Sequence, residues 1–301
     1  AGSEIGIAEA RLGLSERSIL ADAGTAWVSL YYAQQRLALA RDALDDLRDF
    51  VPVAVSAVAS GSARPAESLA IRRELLEIED ALTRIEAARA TARARLQRYI
   101  AESEPVAAGG APQATVDPEG LRIALEANPE LRLADAEQRR AEAAADLARA
   151  EKRPNFGVSV TYGHRNPDFG SVVSVMGSVT LPIFTDRRQN PRIAAAEADA
   201  AAASAERVDR LRAIRARFEA DLAAWRSALQ QWERARDQLL PLARDRAELE
   251  TASFAAGRAD LVDVIAAKSA LALLELEILE REQMAVEAAA TLRLTYGEDR
   301  P

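Results

Sequence analysis

The 301-residue sequence has no cysteine and a single histidine, and aromatic side chains make up 5% of it. Without cysteine there are no disulfides, no thiolate metal ligands and no thiol nucleophile, and either cytoplasm or periplasm is compatible. No run approaches the roughly 20 apolar residues of a membrane-spanning helix. No basic segment followed by an apolar one opens the chain, so a signal peptide, if the protein is exported, is expected to have been removed. There is no basic stripe either: 47 acids stand against 39 bases, the formal net charge is -8, and both signs alternate along the chain. A nucleic-acid partner is therefore not expected. No nucleophile and base pair, phosphate loop or metal-ligand cluster is recognisable, which argues against an enzyme and gives no reason to expect a cofactor or a bound metal.

What is present is Ala, Leu, Arg and Glu, the small and straight-chain residues that lose least on entering a helix. Hydrophobic residues reach 49%, enough for a core. An extended, mainly helical protein is the expectation.

The sequence repeats itself. From Pro65 to Ile100 apolar residues recur at Ile71, Leu75, Ile78, Leu82, Ile85, Ala92 and Leu96, a heptad seam interrupted by Arg89. An offset of 196 maps these eight positions onto Ala267, Leu271, Leu274, Ile278, Arg281, Ala285, Ala288 and Leu292. The same offset pairs Gly61 with Gly257, Ala63 with Ala259, Leu69 with Ile265 and Glu79 with Glu275. Upstream, Trp27 is echoed by Trp225. Each copy reads as a long antiparallel hairpin, with arms at about 4–60 and 65–101, then 192–256 and 260–296. Gly61 and Gly257 suit the left-handed residue that ends a helix, and Pro65 suits the first turn of the next. Pro52 and Pro241 are expected to kink the first arms.

The spacing divides the chain into a first hairpin at 1–103, a linker or packed outer segment at 104–126, a helix within 127–155, a β-hairpin at 156–184 and a second hairpin at 185–301. In the β segment Phe156, Val158, Val160 and Tyr162 alternate with Gly157, Ser159, Thr161 and Gly163. Val173, Val175, Gly177, Val179 and Leu181 alternate with small or polar residues after the turn-prone stretch 165–170. Strands of nine or ten residues with this alternation have the length and pattern of transmembrane β-strands. A lone hairpin has two open edges, so it must be completed by other hairpins.

These features converge on a resemblance. Ala127-Asn128-Pro129-Glu130-Leu131 before the strands, Leu181-Pro182-Ile183-Phe184 after them, and the run from Ala256 to Ile265 resemble the outer-membrane factors of the TolC type. Leu181 to Ala196, with Arg187-Arg188-Gln189-Asn190-Pro191 read as a turn, is most similar to their heavy-metal efflux branch. The resemblance implies a fold of duplicated coiled-coil hairpins forming an α-barrel, plus a β-hairpin of a membrane β-barrel. It implies an exit duct in the outer membrane of a Gram-negative bacterium, a homotrimer contacting outer-membrane lipid and working with a periplasmic adaptor and an inner-membrane pump. Residues 1–18 look like a first post-strand helix, which leaves an expected leading helix and strand pair of roughly 65 residues unrepresented.

The resemblance also places candidate sites. Asp263 takes the first position of a carboxylate ring at the periplasmic tip, while the second position falls on Ala266. Glu67 holds the matching place in the first copy, and Asp260 lies beside the ring. Read from the residues alone, Asp260 is an N-cap and Asp263 its N3 partner, and the two roles are compatible. Gly61, Ser62 and Ala63 at one tip and Gly257, Arg258 and Ala259 at the other are the implied adaptor-docking surface, or simply helix ends. His164 near Asp168 reads as a surface turn, and Trp27 and Trp225 as packing anchors. A soluble coiled-coil scaffold capped by the β-hairpin is the competing reading.

Overall fold

A computed structural model describes residues 2–61, 64–164, 171–183 and 185–297. The elements run α1 (Gly2–Arg48), α2 (Phe50–Ala59), α3 (Pro65–Gln97), α4 (Pro118–Ala124), α5 (Pro129–Ala150), β1 (Asn155–His164), β2 (Ser171–Thr180), α6 (Thr185–Arg234), a π-helical turn (Ala235–Leu239), α7 (Leu240–Ala255) and α8 (Leu261–Tyr296). At the tips the duplication extends to the backbone boundaries. α2 ends at Ala59 and α7 at Ala255, α3 begins at Pro65 and α8 at Leu261, both offset by the 196 residues read from side chains.

Both proline sites interrupt their helices, and one local reading is corrected. The chain breaks at Asp49, between α1 and α2, so Pro52 falls in the first turn of α2, where its missing N–H costs nothing. Ahead of Pro241 the helix absorbs the lost bond as a π-helical turn, the irregularity that the proline was expected to cause. The stretch 187–191 is helix, not turn: α6 starts at Thr185 and takes Pro191 inside. Asn190 Nδ2 donates to Asp186 Oδ1 four residues back at 2.8 Å, which supports the turn that the proline weakens.

The chain divides into two compact units. The first comprises residues 1–14 and 127–214. Its helix α5 is opened by Asn128, whose side chain accepts from the Glu130 N–H at 2.9 Å, with Pro129 at the first helical position. Leu131, Ala134, Ala136, Ala145 and Ile193 make a thin core of mostly small residues. Ion pairs tie α5 to α6, including Arg149 to Glu197 at 2.8 Å and Arg210 to Glu130 at 3.1 Å. Such exposed pairs contribute about 0–1 kcal/mol each, so register more than stability is their effect.

In the same unit β1 and β2 pair antiparallel from Asn155 opposite Thr180 to His164 opposite Ser171. Phe156–Val179, Val160–Val175 and Tyr162–Val173 stand opposite one another, so one face is apolar from Phe156 to Tyr162, with His164 and Ser171 at its far end. The other carries Ser159 opposite Met176 and Thr161 opposite Ser174. The sheet has two strands among the described residues, and both of its faces are open: Val158 on one is 77% exposed and Met176 on the other 66%. The expected tip at 165–170 lies outside the described residues. A two-stranded sheet with both faces in water is at best marginal.

The second unit, residues 15–126 and 215–301, holds the main core. Ile71, Ile78, Ile85 and Ala92 are buried every seventh residue along α3, as the seam requires, while Leu75 and Leu82 pack at its edge. α8 is buried on a broader face, because α3 packs on one side of it and α7 on another. Gly24 on α1 permits close approach to α8, since a Cβ there would lie 2.5 Å from Leu294 Cδ1. The segment 104–117 is a packed strap: Trp225 Nε1 donates to the Ala114 carbonyl at 2.7 Å, Arg293 to that of Gln113 at 2.8 Å, and the Ala107 N–H to Gln34 Oε1 at 3.0 Å. Beyond it α4 is a helix inside the stretch read as linker, capped by Asp117. Trp27 and Trp225 are packing anchors, Trp27 stacking on Tyr31 at 5.6 Å.

Beside the π-helical turn sits the half-buried Glu282, facing Tyr32 of α1 and Arg236 of the turn. Burial raises its carboxyl above the ordinary range, outweighing the opposing pull of Tyr32 and Arg236. A raised carboxyl costs the folded state stability once it ionises, and the cost disappears as pH falls toward the unfolded value. Glu282→Gln is therefore expected to raise the thermal midpoint by about 1–2 °C at pH 8 and to leave it unchanged near pH 4, as followed by circular dichroism.

Candidate functional site

Both hairpin tips belong to the second unit and are joined by one apolar cluster in which Leu261 and Ile265 of α8 meet Ile71 and Ile78 of α3. α7 ends in a Schellman motif: Gly257 has φ +67°, its N–H reaches the Phe254 carbonyl at 2.9 Å, and the Arg258 N–H reaches that of Ser253 at 2.8 Å. Gly61 at the end of α2 repeats the geometry, with φ +74° and its N–H on the Val58 carbonyl at 3.1 Å. Ser62 and Ala63 lie outside the described residues. Gly61, Gly257 and Arg258 are exposed and Ala259 is partly so. The space over both glycines is open, since a Cβ at either would meet nothing within 4 Å. Left-handed backbone, not crowding, is what asks for glycine there.

The two tips then differ in charge. At the second, Asp260 caps α8 and Asp263 closes a capping box, its Oδ2 accepting from the Asp260 N–H at 3.3 Å. At the first, the equivalent cap position is Arg64, which donates to Glu67 Oε1 at 2.8 Å. That bond holds the Glu67 carboxyl below the ordinary carboxylate range and raises the guanidinium in return, with a smaller contribution from nearby Asp260. The Glu67 side chain is 16% exposed and Arg64 81%. Glu67 is thus a neutralised partner, whereas Asp263 is exposed with no cation paired to it among the described residues.

Sequence reasoning placed Asp260, Asp263 and Glu67 at the tips but missed Arg64, which brings Glu67 and Asp260 into one electrostatic group. The signal was available at the shared offset, where Arg64 stands against Asp260 just before each return helix. It also missed that Asp263 heads an exposed stripe on α8, with Ala270, Glu277 and Met284 following at heptad spacing. His164 bonds Ser171 Oγ through Nδ1 at 3.0 Å, and no three metal-ligating side chains come together among the described residues. The site offers carboxylates, small residues and backbone turns, groups suited to electrostatics and docking.

Comparison with known proteins agrees with this geometry. The chain superposes on a membrane protein from Pseudomonas aeruginosa with a TM-score of 0.83 and 19% identity, over 97% of this chain and 68% of that one. On CusC the TM-score is 0.82 with 15% identity, covering 97% and 71%. On the open MtrE outer membrane channel of Neisseria gonorrhoeae it is 0.75 with 19% identity, covering 97% and 68%. These likenesses establish the fold of helical hairpins with a β-hairpin. No curated protein matches the sequence itself. The family model for outer membrane efflux proteins matches residues 120–298, more than half of the sequence, and the chain belongs to that family.

Proposed function

We propose that this chain is one wall segment of a trimeric exit duct, a passive conduit that carries solute from an inner-membrane pump through a periplasmic adaptor to the exterior. The observation that carries the reading is the β-hairpin, two ten-residue strands with one face apolar from Phe156 to Tyr162, both faces open and no third strand beside them among the described residues. Such a hairpin satisfies its edges only within a closed barrel made with other hairpins. Resemblance of the segment 181–196 to the heavy-metal branch supports metal ions as cargo.

In this duct the tips gate the periplasmic end. Asp263, repeated in three subunits, forms a ring that attracts cations and whose mutual repulsion opposes closure. Glu67 contributes little to that ring, because Arg64 neutralises it. Gly61 and Gly257, with Ser62, Ala63, Arg258 and Ala259, offer a low surface on which an adaptor's helical hairpin docks. Asp263→Ala in the protein reconstituted into planar bilayers is expected to weaken cation block severalfold and, with the repulsion that opposes closure gone, to lower conductance; unchanged conductance and block would remove Asp263 from the gate.

A further inference from the structure

Where α5 gives way to β1 and β2 to α6, the first unit holds a cleft of about 550 Å³ lined by Leu147, Arg153, Leu181, Ile183, Arg188 and Gln189, among others. Its apolar wall stands open: Leu147 is 65% exposed, Leu181 63% and Ile183 64%. Its two arginines make no ion pair or side-chain hydrogen bond among the described residues. A shortage of carboxylates does not explain this. Arg149 holds Asp146 and Glu197 at 2.8 Å, and Arg192 holds Glu151 at 3.5 Å, all within the same unit. Gln189 Oε1 is buried without a donor, a costly state for a carbonyl oxygen.

The cleft lies at the helix-side end of the hairpin, beside Asn155 and Thr180. For an outer-membrane protein with periplasmic helices, that is the level of the periplasmic leaflet's head groups. An apolar wall, two free cations and an unmet acceptor at this level match a single molecule with acyl chains, a phosphate diester and an N–H donor. We propose that the cleft binds one glycerophospholipid with a primary-amine head group. Its phosphate takes Arg153 and Arg188, its ammonium draws Gln189 Oε1 out of burial into the cleft beside the Glu151 carboxylate, and its acyl chains run up the face bearing Phe156 and Val158. The bound lipid fixes how deep the hairpin sits where it meets the helices.

This rests on the hairpin being membrane-spanning, and the test separates the two. The delipidated protein in nonionic detergent is titrated with dilauroyl phosphatidylethanolamine or dilauroyl phosphatidylcholine, and retained lipid is counted by native mass spectrometry. One ethanolamine lipid per chain is expected, preferred severalfold over choline, which lacks the N–H donor. Arg153→Gln with Arg188→Gln is expected to weaken retention of both lipids about tenfold, and Gln189→Leu to abolish only the preference. The charge-matched control Arg139→Gln with Arg140→Gln is expected to retain lipid as before; circular dichroism checks folding throughout. Equal retention of the two lipids by the unaltered protein, equal losses in control and test variants, or displacement of lipid by millimolar inorganic phosphate each overturn the proposal. If the unaltered protein also fails to float with phospholipid vesicles, the membrane reading of the hairpin falls too; if it floats, only the lipid site does.

Discussion

Phe218→Ala is expected to cost about 3–5 kcal/mol, among the largest losses available to a single truncation in this chain. Phe218 is fully buried and stands edge-on to Tyr296, ring centres 5.3 Å apart at 82°. The Arg122 guanidinium lies 5.7 Å over its ring, and Arg122 Nη2 also holds Glu219 at 2.9 Å. Tyr296 Oη in turn donates to Asp221 Oδ2 at 2.7 Å. One aromatic side chain therefore clamps α4, α6 and the last turn of α8. Truncating it opens a cavity at the junction of three helices and leaves Arg122 with only its exposed ion pairs. Chemical denaturation should show the loss, and limited proteolysis near Arg122 should quicken first, because α4 is only seven residues long. Phe218→Leu keeps most of the volume and is expected to cost only about 1–2 kcal/mol. Similar midpoints for all three proteins would show that the clamp is not a folding element.

The hairpin arms were legible because their signal is redundant. A heptad spacing, a turn glycine and a helix-opening residue each recur at one offset, so an Arg within each seam did not hide the duplication. The strands were legible because alternation over ten residues has no helical equivalent. Less visible was whatever depends on a distant partner. Nothing local in 104–117 announces a strap, since its anchors are Trp225, Arg293 and Gln34, each at least 73 residues away. Pro191 reads as a helix breaker, yet a 50-residue helix carries it, as cooperativity over many turns outweighs one missing bond. At the tips the types of residue were readable but their pairing was not. Glu67 and Asp263 hold matching positions and differ in effective charge because one faces an arginine.

That difference matters for the second large effect, because it leaves the β-hairpin as the element on which the channel reading most depends. Val160→Arg places a charge at the centre of β1, on the apolar face and directly opposite Val175. If that face meets lipid, the charge sits near the bilayer midplane at a cost of about 2–4 kcal/mol per subunit, repeated around a trimer. Thr161→Arg, one residue on, points to the opposite face beside Ser174. If that face lines water, the same charge is tolerated and alters only conductance. The pair of variants thus differs by one residue in sequence and by the whole membrane in environment, since strand side chains alternate strictly between faces. Flotation with phospholipid vesicles is expected to collapse for Val160→Arg and to survive for Thr161→Arg. Equal flotation of the two would mean that neither face is in lipid and that the hairpin packs on protein. The reverse order would turn the sheet around, and the open apolar face would then need another protein surface to cover it.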